Sequence, residues 1–139
     1  MRATVGIIII VLVLVGGAIL FGSGKEANDN TTDSASSKST ARFDKISSEV
    51  SAKTAVLYDV RTREEYDVGH FAGAVLHDVQ DIERGSMPDV AKDTKIYVYC
   101  RSGNRSSQAT AMLKSAGYTD VVDLGGLTDV QKMGGELIN

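Results

Sequence analysis

The sequence predicts an α/β fold: a single domain with a mostly parallel central sheet flanked by helices, preceded by one N-terminal transmembrane helix. Three observations carry this reading. Ala3 to Gly22 contains no charged residue; the stretch after it is polar and nearly free of large apolar side chains; and from Phe43 onward short branched-aliphatic runs alternate with helical spacings. The mean hydropathy of -0.06 averages over these unlike stretches and hides the first of them.

At about 1.5 Å rise per residue, residues 3–22 are long enough to span a hydrocarbon core of roughly 30 Å. A secretory signal usually has an apolar region of only about 7–15 residues, so an uncleaved anchor over residues 1–22 is expected. If the leader is cut, the domain becomes secreted or periplasmic. Arg2 and the amino terminus stand against Lys25, Lys38 and Arg42, and this count does not settle orientation. A short tail with the bulk of the chain exported is the commoner arrangement, so the domain is expected on the extracytoplasmic side. Residues 23–42, rich in Ser, Thr, Asn and Asp, bury too little apolar surface to offset the entropy of ordering and read as a disordered tether.

Residues 43–139 form the domain. Strands are expected at Ala55–Tyr58, Ala74–Leu76, Lys95–Tyr99 and Val121–Leu124. Thr62-Arg63-Glu64-Glu65 fits a capping box, in which the Thr62 hydroxyl and the Glu65 carboxylate each satisfy an orphan amide, so a helix begins there. Ala109, Met112, Leu113 and Ala116 recur at helical spacing, and Gly117 follows as a left-handed cap. Ligands of parallel sheets bind at the carboxyl ends of the strands.

The 139 residues hold one cysteine, which excludes an internal disulfide, a cysteine zinc cage and a dithiol redox pair, and no metal site is expected. A formal net charge of -3 gives no basic footprint for nucleic acid. Cys100 follows the strand Lys95–Tyr99 at its carboxyl end and precedes Arg101, Ser102, Gly103, Asn104, Arg105 and Ser106. A loop of small, flexible residues entering a helix can turn successive amides onto one anion, with the helix dipole adding to the effect. Here that anion is the Cys100 thiolate, and Arg101 and Arg105 add fixed positive charge, all of which lowers a thiol pKa from about 8.5. A free cysteine often serves only as a small buried hydrophobe, but the polar loop after Cys100 is a poor setting for that role.

The stretch LYDVRTREEYDVGHFAGAV, the loop CRSGNRS and the closing AGYTDVVDLGGLTDV together resemble a rhodanese-type sulfurtransferase domain, similar to small single-domain periplasmic rhodaneses of the phage-shock type. The resemblance implies a persulfide enzyme without cofactor, in which the Cys100 thiolate takes sulfane sulfur from thiosulfate or a similar donor and passes it to cyanide or a thiol. It implies that the amides from Cys100 to Arg105 cradle the sulfur and that Arg101 and Arg105 meet the anionic donor. A protein acceptor is a further option, the membrane is contacted through residues 3–22, and no nucleic-acid partner is implied. Cysteine phosphatases of related fold enclose phosphate with five residues between cysteine and arginine; only four separate Cys100 from Arg105, a smaller ring that suits one sulfur atom.

Asp59 and Arg61 follow a central strand at the same edge as Cys100. An ion pair fixing that turn is expected, with Arg61 the one of the two to reach a substrate mouth. His70 falls at a family position that is usually structural, and His77 has no such match. Gly125 and Gly126 match paired glycines where backbones pack too closely for a side chain. The chain departs from the family pattern at Leu76-His77-Asp78, where many members carry Asn-Ile-Pro, and in lacking an aromatic residue in its final helix. Three alternatives accompany the enzyme reading: a sulfur carrier or redox sensor without turnover, a phosphatase-like hydrolase, and a binding module with an inert Cys100.

Overall fold

The computed structural model describes residues 33–139. The four aliphatic runs become β1 (Ala55–Asp59), β3 (Ala74–Leu76), β4 (Lys95–Tyr99) and β5 (Val121–Gly125), which form one parallel sheet in the order β3-β1-β4-β5. Helices α1 (Asp33–Ser51), α2 (Arg63–Val68), α3 (Val79–Glu83), α4 (Asn104–Ser115) and α5 (Leu127–Lys132) accompany it. Two short strands, β2 (His70–Phe71) and β6 (Leu137–Ile138), pair antiparallel in a ribbon of their own. The α/β class and the mostly parallel sheet are as the sequence predicts; α3, α5 and the ribbon are too short for periodicity to announce.

Side chains alternate across a strand, and that alternation builds two cores. Tyr58 on β1 with Ile96 and Val98 on β4 point to one face, where they pack with Val79 and Ile82 of α3 and Ala109 and Leu113 of α4. Leu57, Tyr97 and Tyr99 point to the other, where Phe43 and Ile46 of α1, Phe71 and Val130 of α5 cover them. Cys100 continues the parity of Ile96 and Val98, so its sulfur is sent toward α4. Tyr99 faces the opposite way, in edge contact with Phe71 at 5.0 Å between ring centroids.

α1 differs from expectation. Residues 33–42, expected in the tether, belong to this helix, and the composition argument misses it because it counts burial alone. Phe43 and Ile46 are buried against the sheet, and once a helix is docked each further residue adds a hydrogen bond without a new nucleation cost. The apolar run 3–22 and tether residues 23–32 lie outside the described residues; among those described, no helix is long and apolar enough to cross a membrane.

The carboxyl ends of β1 and β4 are joined on the Tyr99 face by a buried polar network. Asp59 has no exposed surface and Arg61 is 4% exposed. Oδ1 of Asp59 accepts the backbone N–H of Arg61 at 3.0 Å and its Nε–H at 2.9 Å, while Oδ2 accepts the Tyr99 hydroxyl at 2.7 Å. Nη2 of Arg61 donates to Oδ2 of Asp59 and, at 2.7 Å, to the Gly69 carbonyl. The Tyr99 oxygen in turn accepts the Phe71 amide at 3.3 Å. Burial leaves each member dependent on the others, because removing one partner strands a charge away from water. Asp59→Ala is expected to lower the unfolding free energy by about 3–5 kcal/mol in urea denaturation, whereas Asp59→Leu combined with Arg61→Met costs far less than the sum of the single changes.

Candidate active site

Cys100 directly follows β4, and its amide donates to the Gly125 carbonyl at 3.0 Å. The β4–β5 register shifts between Val98 and Tyr99, which brings Gly125 opposite Tyr99 and the Gly125-Gly126 turn against the loop after the cysteine. Gly126 lies so close to that loop that a Cβ there would stand 2.9 Å from the Arg101 carbonyl oxygen and 3.0 Å from Ser102 Cα. Gly125 adopts φ +84°, a left-handed conformation that favours glycine. The paired glycines thus act through close packing, and Leu127 N–H donating to Arg101 O at 3.2 Å ties the same turn to the loop.

The loop itself is short because α4 starts early. Gly103, at φ +95°, is its N-cap, so Asn104, Arg105 and Ser106 form the first helical turn, whose amides have no partner within the helix. Cys100 Sγ takes up this potential: the Gly103 amide donates to it at 3.1 Å. The sulfur has no exposed surface, and burial alone would raise its pKa. Hydrogen bonds from the Ser106, Ser102 and Gly103 amides and from the Ser106 hydroxyl outweigh burial, and the net shift is downward. The magnitudes agree with this outcome, since bonds to a charged acceptor contribute about 1.5–3 kcal/mol each and several converge on one atom. The Ser106 hydroxyl also lies 2.9 Å from Gly103 O and 3.3 Å from Gly125 O, so its one proton is shared among three acceptors.

The two loop arginines differ. Arg101 is exposed and makes no ion pair among the described residues. Arg105 is held in a fork by Glu65, with Nη1 to Oε2 at 2.6 Å and Nη2 to Oε1 at 2.8 Å. The same Oε2 accepts the Thr62 amide at 3.2 Å, so the capping box that starts α2 also fixes the arginine that ends the cysteine loop. This clamp holds the Glu65 carboxyl well below its usual range, at about 2, despite partial burial. It raises Arg105 further above its ordinary pKa, with the Cys100 thiolate and Asp78 adding to the effect through their charge.

Asp59 and Arg61 do not line a mouth: they are buried and bonded to each other, to Tyr99 and to Gly69 O. The reach to substrate expected of Arg61 is therefore corrected, because its fork is spent inside the fold. His70 stacks on Tyr66, with ring centroids 3.8 Å apart and planes inclined by 10°, and its Nδ1 lies 3.2 Å from the Tyr66 carbonyl. His77 places Nε2 2.8 Å from Ser86 O, and its amide donates to Asp59 O. Asp78, at the position of the family departure, caps α3 by accepting the Gln80 amide at 3.0 Å. Two residues of the site were not singled out from sequence. Glu65 was visible only as a helix cap, and Ser106 only as the end of a polar loop; the spacing of Ser106 at the third residue of a helix begun by Gly103 was the available signal. Among the described residues no three of His, Cys, Asp and Glu gather closely enough to hold a metal ion.

The chain is 39% identical over 75 residues to the thiosulfate sulfurtransferase PspE of Escherichia coli, a match covering 52% of this chain and 70% of that protein. It is 42% identical over 73 residues to the adenylyltransferase and sulfurtransferase uba4 of Ogataea parapolymorpha, which covers 52% of this chain but only 19% of that larger relative. Among solved structures, the rhodanese-like domain of an Anabaena protein superposes with a TM-score of 0.55 at 34% identity, covering 61% of this chain and 99% of that one. The rhodanese-like domain profile matches residues 42–133, a span that holds the sheet, both cores and the Cys100 loop, and the chain therefore belongs to the rhodanese-like domain family.

Proposed function

We propose that the protein is a sulfurtransferase that moves sulfane sulfur from thiosulfate or a related donor to a thiophilic acceptor, cyanide or a thiol, through a persulfide on Cys100. The single observation that supports this best is the convergence of the Ser102, Gly103 and Ser106 amides on the Cys100 sulfur, whose pKa they lower against the opposing effect of burial. In the first half-reaction a lone pair of the thiolate forms a bond to the outer sulfur of thiosulfate. The bond from that sulfur to the sulfonate sulfur breaks with its electron pair, and sulfite departs. In the second, the acceptor attacks the outer persulfide sulfur and the pair from the broken bond returns to Cys100 as thiolate, giving ping-pong kinetics. The ring of amides stabilises negative charge in both states and needs no adjacent base. PspE, a relative named as a thiosulfate sulfurtransferase, supports the donor class.

The uncharged run 3–22 supports a domain held at a membrane, with the segment after it as spacer, and the commoner export of the bulk of a chain behind a short N-terminal tail favours the extracytoplasmic side. A reporter fused after Asn139 that requires an oxidising, exported setting is expected to be active, and activity of a cytosol-dependent reporter instead overturns this placement.

Incubating the protein with thiosulfate is expected to add one sulfur atom to its intact mass, in wild type and not in Cys100→Ser. Persistence of the adduct in the serine variant overturns the reading, whereas a stable adduct that cyanide does not discharge identifies a carrier. Alkylation by iodoacetamide, followed against pH, is expected to rise with a midpoint below the free-thiol value of about 8.5. The sign follows from the thiolate being the reactive form and being favoured by the fold, and a midpoint at or above the free value contradicts it.

A further inference from the structure

Resting on the sulfurtransferase reading, we propose that Glu65 sets the charge of the donor: by clamping the Arg105 fork it makes the site favour singly charged sulfane donors, such as organic thiosulfonates, over doubly charged thiosulfate. The observations concern how charge is distributed around one buried sulfur. Two arginines follow Cys100 within five positions, which in sequence reads as a doubly cationic anion site. The fold changes that balance. Both terminal nitrogens of Arg105 are committed to the Glu65 carboxylate at 2.6 and 2.8 Å, and the pair is only about a quarter exposed. Arg61, the next cation near Glu65, is buried against Asp59 and neutralised there. That leaves exposed Arg101 as the one loop cation without a carboxylate partner among the described residues, in the same loop as the Cys100 thiolate.

A bidentate arginine–carboxylate pair is a strong, directional contact, so a donor gains little from Arg105 unless it displaces Glu65. A thiosulfate dianion therefore meets a site with no surplus of positive charge, whereas a thiosulfonate brings one charge fewer into the same field. The chemistry is otherwise the same: the thiolate bonds to the terminal sulfur, the bond to the sulfonyl sulfur breaks with its electron pair, and a sulfinate leaves where thiosulfate would release sulfite. Selection between them thus rests on charge and not on the bond being broken.

Glu65→Gln changes charge while keeping the local fold, since glutamine serves in a capping box as glutamate does. The experiment uses the full-length protein in a nonionic detergent, with thiosulfate and benzenethiosulfonate as donors and cyanide as acceptor. Glu65→Gln is expected to raise the ratio of kcat/KM for thiosulfate to that for benzenethiosulfonate by about fivefold, the order expected for one unit charge acting across a partly screened distance. In the wild type, raising ionic strength is expected to leave the thiosulfate efficiency flat or increase it, because screening removes repulsion and not attraction. A steep fall with salt, or a ratio unmoved in Glu65→Gln, overturns the proposal while sulfur addition to Cys100 from either donor leaves the sulfurtransferase reading standing. Failure of both donors to add sulfur overturns both.

Discussion

The site depends on a carboxylate that never reaches it. Asp59 sits beneath the carboxyl edge of the sheet and receives four donors: the Arg61 backbone amide, two guanidinium nitrogens and the Tyr99 hydroxyl. Through Arg61 it holds the Gly69 carbonyl, and through Tyr99 it holds the Phe71 amide, so the ends of β1 and β4 and the start of the β2–β6 ribbon are tied to one buried charge. Burial and the neighbouring Asp59 carboxylate push the Tyr99 hydroxyl well above its ordinary pKa, which keeps it a donor at any working pH. Because Tyr99 immediately precedes Cys100, fixing its ring fixes the exit of β4 and hence the point from which the cysteine loop departs. A buried ion pair is weak evidence of net stability; its value here is positional.

From that fixed exit, strand alternation sends Cys100 to the face opposite Tyr99, and the local backbone does the remainder. Gly103 in a left-handed conformation lets α4 begin four residues after the cysteine, which turns the unsatisfied amides of a helix start onto the sulfur. Gly126 allows the β5–α5 turn to press against the loop at a distance no side chain would permit. Each glycine thus supplies a different freedom: one of dihedral angle, the other of approach.

The strands, the capping box at Thr62 and the Gly117 cap, with φ +94°, were legible because each is a local pattern with a local cause. Cys100 and its loop were legible for the same reason, being contiguous. What the sequence did not disclose is set by contacts between distant segments. Glu65 and Arg105 lie 40 positions apart, and nothing in either neighbourhood says that a helix cap will also seize an arginine. Arg61 likewise looked available because its partner two residues earlier faces inward only once β1 is placed against β4. α1 escaped since its first ten residues carry no apolar signal, and only the docking of Phe43 and Ile46 makes the helix worth forming.

The clamp on Arg105 also bears on which chemistry the loop can serve. Enclosing a tetrahedral phosphate requires an arginine fork free to meet two of its oxygens, together with enough loop to surround them. Here four residues separate Cys100 from Arg105, and both guanidinium ends are already bonded to Glu65. Freeing the fork would leave Glu65 without its guanidinium partner, a carboxylate ionised at neutral pH beside an incoming dianion. Ring size and charge thus disfavour phosphate for separate reasons, whereas a terminal sulfur needs only the amides that already converge on Cys100. The feature that weakens the site for a polyanion leaves its capacity to stabilise a persulfide intact, because that capacity resides in the backbone of residues 102–106 and not in the arginine.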